Sequence, residues 1–559
     1  MDRALVSALI VALVLGGCLG SDGAGGADTG EDIAGDDAVA MDTRDATDDA
    51  ADAEAEALDL AYPALPCAEA ALPPAPVTLY NVATAVIGPC GHVAYTPVAS
   101  GGGSAERLEL LDPSGVALGG VALPGGGIGD AIFWASSRDA FLVVTQSDDG
   151  SAVATLVTVA ADGPRSAPPV AVPSLTTLGW LDGDGVAGAW LCSAPPGAVA
   201  GALTRLDDEG GHELGAVVDC REVVSRGAVL AAPRDDGLAV WDVAAGTLTT
   251  WPGVATGWRE EDGLRVRDRA TLGGAGRWIA AQRVKERFPD TEPVGEGPVR
   301  AYDRLAPEAA PAEVAGDVSD VVVLEGTPGF VAAAEAPYAL GWVAPSGATG
   351  TLADGSEPTL LGGGKVLARA RLDGAPALVV LDLESGAVAP VVSRPLRWIR
   401  SPGGGTVAVT WQSDGIRPVT SIWRGGAVGP AVEAMGTSGP NQVAESGATF
   451  GYGGDGVDPV TGSFGPAGTF VRSPAGREVW SRAGGNVSAG AAGDAFVVTA
   501  KTVNQDVLVV DGATGAETLL VTGNSARIWL DAARRRVLVT YLPLSAAEPA
   551  LHLAAVPQR

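Results

Sequence analysis

The stretch "IFWASSRDAFLVVT" (132–145) reads as a strand, a tight turn and a second strand. Two later stretches repeat its plan, "RWIRSPGGGTVAVT" (397–410) and "RIWLDAARRRVLVT" (527–540), each placing a threonine eleven or twelve residues after a tryptophan. The runs "FLVVT", "VAVT" and "VLVT" are almost wholly apolar, as expected of inner strands covered on both faces. A unit that recurs in this way and cannot bury its own faces predicts stacked repeats. Trp134, Trp398 and Trp529 are then expected to fill the seams between neighbouring units.

Working outward, a second motif supplies the turns. "LELLDPSGVAL" (108–118), "AVWDVAAGTLTTW" (239–251), "VVLDLESGAVAPV" (379–391) and "LVVDGATGAETLL" (508–520) each run apolar residues into an Asp, and a Gly shortly after opens the next strand. Asp bonds the backbone two residues on and Gly supplies a positive φ, so each is a hairpin with a mechanism. From Val77 onward, units of three or four short strands recur about every 35–60 residues with no helical segment between them, the signature of a β-propeller. The repeat resembles the WD-repeat, YVTN-type and Tol-translocation-type propellers, although Trp241-Asp242 is a single occurrence of the WD pair. The fold class expected is all-β, a propeller of four-stranded blades over 61–559. About ten or eleven units are discernible, against four to eight in common rings, so one ring or two is left open. The last half-blade, "ALHLAAVPQR" (550–559), lacks an outer strand, which "PVTLYNV" (76–82) could supply to close the ring.

The N-terminus gives an address. "ALVSALIVALVLGGC" (4–18) is apolar but short for a bilayer span, and fits the core of a signal peptide. Leu15-Gly16-Gly17-Cys18 resembles a bacterial lipobox. The resemblance implies that residues 1–17 are removed and that Cys18 is lipidated. Leu19, in place of a retention aspartate, points to the outer membrane. Between Leu19 and Leu60 stand fourteen Asp and Glu against the single Arg44. So dense a like charge with little apolar bulk predicts a disordered tether over 18–60. That segment carries about −13 of the chain's net −31. The remaining acidic excess, with no basic stripe, argues against nucleic acid.

Cysteine usage agrees with export. Cys67, Cys90, Cys192 and Cys220 are even in number, include no C-x-x-C pair, and pair most simply as neighbours, Cys67–Cys90 and Cys192–Cys220. Three histidines, none at metal spacing, and no G-x-S-x-G elbow leave no catalytic residue, metal site or cofactor to nominate. One segment breaks the rhythm. Residues 258–300, "WREEDGLRVRDRA" followed by "QRVKERFPDTEPVGEG", are the most charged part of the body and are read as an extended insertion loop. Its Trp258, Arg259, Glu260, Arg283, Lys285 and Arg287 are the candidate binding residues, because loops on rigid scaffolds concentrate recognition. The function expected is a non-catalytic protein-binding or assembly scaffold anchored in the cell envelope. The alternative is a carbohydrate-active hydrolase or lyase, or a glycan-binding adhesin.

Overall fold

The Asp-and-Gly hairpins form as their chemistry requires. Asp382 accepts the backbone N–H of Ser385 at 2.9 Å, Asp511 that of Thr514 at 2.7 Å, and Asp242 that of Ala245 at 3.0 Å. Asp112 does the same for Ser114 at 2.8 Å, and the glycines that follow (Gly115, Gly246, Gly386, Gly515) all hold a positive φ. The computed structural model describes residues 73–556 with gaps, the longest at 99–105, 316–329 and 454–467. The signal peptide, Cys18, the tether and Cys67 lie outside the described residues.

The strands assemble into antiparallel sheets that follow one another along the chain. Blades 1 to 4 span 82–122, 131–172, 177–217 and 224–251, and blades 5 to 8 span 259–315, 330–353, 356–393 and 395–433. Blades 9 and 10 span 442–483 and 487–523. The strand Glu517–Asp531 then serves twice. Its first half is the outer strand of blade 10, paired with Gln505–Asp511, and its second half is the inner strand of blade 11, paired with Arg536–Pro543. Blade 11 ends with Ala550–Ala555, and its outer strand is Val77–Tyr80 from the opposite end of the chain, in register from Val77↔Leu553 to Tyr80↔Ala550. The expected closure by 76–82 therefore holds.

Each seam joins blades adjacent in sequence, so the circuit closes once. Buried apolar clusters fill ten seams. Phe141 and Val143 of blade 2 meet Leu108 and Leu110 of blade 1, and Leu551 and Leu553 of blade 11 meet Val82 and Ile87 of blade 1. The seam between blades 8 and 9 adds polar contacts to the packing of Ile422 on Gly447 and of Val432 on Gly476: Glu445 accepts from Ser401 Oγ at 2.8 Å and from the Gly403 N–H at 2.5 Å, while Arg424 donates to its carbonyl. Among the described residues the protein is thus a single ring of eleven blades, beyond the four to eight of common propellers.

The apolar runs "FLVVT", "VAVT" and "VLVT" are the second strands of their blades, and they are buried: Phe141, Leu142 and Val143 are fully enclosed, as are Val407 and Val409. Two of the three tryptophans pack as expected. Trp529 lies against the clusters of blades 11, 1 and 2, and Trp398 against that between blades 7 and 8, where its Nε1 donates to Thr359 Oγ1 at 3.0 Å. The Trp134 side chain lies outside the described residues.

Candidate functional site

The charged segment 258–300 is not an insertion loop. It is most of blade 5, whose strands run Arg259–Glu261, Leu264–Gly273, Trp278–Arg287, Glu292–Asp303 and Ala312–Ala315 in that spatial order. The three middle strands are ten, ten and twelve residues long. Ala270, Leu272, Ile279 and Ala281 fill the seam with blade 4, while Trp278, Val299 and Ala301 fill the seam with blade 6. Beyond those residues the strands run on as a charged β-extension, with Arg259–Glu261 added as an extra innermost strand. Part of the charge is exposed and part is matched by partners on the links that flank blade 4, as Arg267 is by Glu222 and Asp268 by the Ala255 N–H, a pattern that in sequence looks the same as a solvated loop.

Alternation along Leu264–Gly273 sorts the charges onto two faces. Arg265, Arg267, Arg269 and Thr271 share one face with Gln282 of the next strand, because Arg269 pairs with Gln282. With Trp258 they line a cleft of about 1090 Å³. The opposite face carries Val266, Asp268, Arg283 and Lys285. There Glu261 pairs with Arg283, and with Arg259 at 3.3 Å, while Asp268 accepts the Ala255 N–H at 2.8 Å and fixes the link from blade 4.

The facing wall comes from the link between blades 3 and 4. Here the one-turn 3₁₀ helix Cys220–Glu222 is held by the Cys192–Cys220 disulfide and by Asp219, whose carboxylate caps its N-terminus by accepting the Arg221 N–H at 2.9 Å. The same carboxylate takes the Arg221 guanidinium at 2.6 Å and 3.0 Å. Burial opposes its ionisation, but the Arg221 hydrogen bonds prevail and hold Asp219 below the usual carboxylate range. Glu222 receives a two-pronged contact from Arg267, with Arg267 Nη1 at 2.6 Å, and Arg269 Nε lies 3.8 Å away. Burial pushes the Glu222 carboxyl up, with the Arg267 charge working against it. Asp235, in a turn of blade 4, completes the charged lining.

The guanidinium groups of Arg265 and Arg267 lie 4.7 and 4.5 Å from the Trp258 ring centre. Such contacts orient both partners at the cleft wall. Trp258 is 36% exposed, whereas the Arg267 side chain is 7% exposed and that of Arg269 49%. Arg267 is therefore a structural brace and Arg269 a group presented outward. Planar guanidinium forks suit carboxylate recognition, and the indole adds an apolar surface beside them.

Of the six residues nominated from sequence, the structure brings only Trp258 into the cleft. Arg259, Arg283 and Lys285 belong to the opposite face, Glu260 stands across from Arg265 on the cleft face but is exposed outside the lining, and the Arg287 side chain is outside the described residues. Reasoning from sequence missed Arg265, Arg267 and Arg269, although "RVRDR" (265–269) advertises them by strict alternation. It also missed Asp219, Arg221 and Glu222, which reach the site through the Cys192–Cys220 bridge. Cys90 is disulfide-bonded too, and its expected partner Cys67 is outside the described residues.

No protein-family model matches the sequence, and none of the curated proteins does. Among solved structures the chain has similarity to the tricorn protease, at 10% identity and a TM-score of 0.25 over 86% of this chain and 62% of that one. It is also similar to dipeptidyl peptidase 4 of Porphyromonas gingivalis, at 12% identity and a TM-score of 0.36 over 74% of this chain and 64% of that one. TolB of Acinetobacter baumannii matches at 14% identity and a TM-score of 0.21, over 52% of this chain and 79% of that one. The chain spans less than two thirds of the length of either peptidase.

Proposed function

We propose that this protein is a lipid-anchored propeller of the cell envelope, favouring the outer membrane, that acts as a non-catalytic binding scaffold for an envelope protein. The observation that carries the reading is the cleft between blade 5 and the Cys220–Glu222 turn, a rigid concavity lined with arginines and a tryptophan in a chain of net charge −31. Its carboxylates favour binding over hydrolysis. Asp219 is engaged by Arg221 and Glu222 by both prongs of Arg267, so the two are committed to arginines of the cleft wall and not turned towards a bond to be cleaved. The lipobox resemblance at Cys18 and the oxidised Cys192–Cys220 pair support an exported location.

The test is in-cell crosslinking of an affinity-tagged chain, detergent extraction and mass spectrometry. Arg269→Gln serves as the comparison, because deleting 258–300 would remove a blade and break the ring. An envelope protein captured reproducibly by the native chain and lost with Arg269→Gln is the expected result. Capture of no protein by either form, with binding to a polysaccharide instead, would replace the scaffold with the glycan-binding alternative. Labelled fatty acid incorporated into the native chain but not into Cys18→Ala checks the anchor.

A further inference from the structure

The strand that closes the ring leans on one titratable side chain. His552 stands directly across from Thr78 in the pairing of Val77–Tyr80 with the last strand of blade 11, and its Nδ1 bonds Thr78 Oγ1 at 3.0 Å. The residue is 8% exposed, and its Nε2 is buried without a hydrogen-bond partner among the described residues. A neutral ring tolerates this, because Nδ1–H donating to the threonine leaves Nε2 as a bare lone pair. A protonated ring carries a second N–H without an acceptor and a charge held out of water, and both are costly.

The surroundings supply no counter-charge. On His552's own face of blade 11 the register places Val539, Ala554, Tyr541 and Tyr80, and tyrosines titrate only in alkali. Arg527 and Arg536 belong by register to the opposite face, where Arg536 donates to the Cys90 carbonyl. Val507, Val509 and Val521 of blade 10 fill the seam on the His552 side. The charged residues of blade 10 stand elsewhere. Lys501 and Asp511 end their strands, and the Asp511 carboxylate takes the Thr514 N–H. Asp506 turns to Thr522 and to Arg482 of blade 9, and Glu517 to Trp480 of blade 9. Glu548 is exposed in the turn before Ala550. Burial alone accounts for the lowered imidazole pKa. His92 and His212, by contrast, each meet an aspartate, at 2.5 and 3.0 Å.

We propose that His552 is a proton-operated latch on the ring, whose protonation detaches the closing strand Val77–Tyr80 from Ala550–Ala555 while the other ten blades keep their pairing. Detachment takes Thr78 off the imidazole and gives the new charge access to water. The open form titrates near 6.5 and the closed form lower, so the latch is shut above the open value and loosens as the pH falls below it. Opening gains about tenfold for each pH unit below 6.5 until the closed value is reached, at most about thirtyfold between pH 7.5 and 5.

The test is hydrogen exchange of the full chain at pH 7.5 and 5, read by mass spectrometry, with each rate compared with the intrinsic rate at the same pH. Protection of the peptide holding Val77–Tyr80 should fall at least about fivefold between the two, and that of Val366–Ala370 in blade 7 by less than about twofold. His552→Gln, which stays neutral, should abolish the pH dependence of the closing strand. Where that variant does not fold, His552→Leu serves in its place. Equal protection of the closing strand at the two pH values overturns the proposal, as does a fall of the same size in His552→Gln. A fall shared equally by blade 7 overturns it too, because the acid would then be loosening the whole ring.

Discussion

Asp139→Ala should unfasten blade 1 from blade 2 locally. The Asp139 side chain is 3% exposed and reaches back across the seam into the turn that ends the inner strand of blade 1. It accepts the backbone N–H groups of Cys90 and His92, each at 2.7 Å, and meets His92 Nδ1 at 2.5 Å. Truncation strands two backbone donors and an imidazole nitrogen around the hole left where the carboxylate sat packed against Gly88. At about 1–3 kcal/mol for each donor left without a partner, the loss comes to about 3–5 kcal/mol. A ring of eleven units need not unfold in one step, so the readout should be local. Hydrogen exchange followed by mass spectrometry over residues 86–94 should show the Cys90 and His92 amides exchanging at least about a hundredfold faster, at 1.4 kcal/mol per decade. Asp139→Asn retains one acceptor and should fall between. Exchange unchanged in Asp139→Ala would refute the assignment of this carboxylate as a seam fastener. By the same reasoning, Glu445→Ala should release the Ser401–Gly403 turn of blade 8 from blade 9.

Other expectations follow from the closing blade, the turns and the bridge. His552 sits in the penultimate strand of blade 11, bonded through Nδ1 to Thr78 Oγ1 at 3.0 Å, and burial pushes its imidazole pKa down. A histidine held neutral in the fold but not in the unfolded chain costs stability in acid. Stability is full above the unfolded value near 6.5 and declines as the pH falls below it towards the depressed folded value. Denaturant midpoints between pH 7.5 and 5 should therefore fall less in His552→Leu than in the native chain, and equal slopes would count against this role. Asp382→Ala removes bonds to the Ser385 N–H and Oγ and should destabilise blade 7 by about 1 kcal/mol in urea. Those same bonds depress the Asp382 pKa, so its contribution is present above the usual carboxylate range and lost as the pH falls through the folded value. Replacing Cys192 and Cys220 by Ser opens a bridge of separation 28, worth about 3.5 kcal/mol, and should free the Cys220–Glu222 turn to exchange. Non-reducing peptide mapping that finds both thiols free in the native chain would remove the premise.

Much of the ring was legible because its grammar is local. An Asp that bonds the next backbone amides and a Gly at positive φ write each hairpin within five residues, and the missing outer strand of the last half-blade asked for 76–82 by name. The blade count was less legible. One continuous strand, Glu517–Asp531, serves two blades, and blade 5 adds a strand inside its own inner edge. The cleft was hardest to foresee. Its arginines alternate visibly at 265, 267 and 269, but whether that face looks outward or into a site depends on a neighbour that no spacing reveals. Glu222 meets Arg267 across 45 residues of chain only because blades 4 and 5 are adjacent and the Cys192 bridge sets the turn beside them.

The way the ring is locked also bears on how it would carry a load. Everything upstream of Val77 in the sequence, the expected anchor included, joins the folded body at the strand whose four-residue pairing with Leu553 to Ala550 closes the circuit. With Cys90 bridged to Cys67 as expected, a pull on that end would pass through the disulfide to the first turn of blade 1 and spare these hydrogen bonds, whereas reduction of the bridge would make them the first to break. A proteolytic cut upstream of Cys67 would instead shed the body with its circuit intact, turning an anchored protein into a diffusible one without unfolding it, whereas a cut between Cys67 and Val77 would also need the Cys90 bridge reduced.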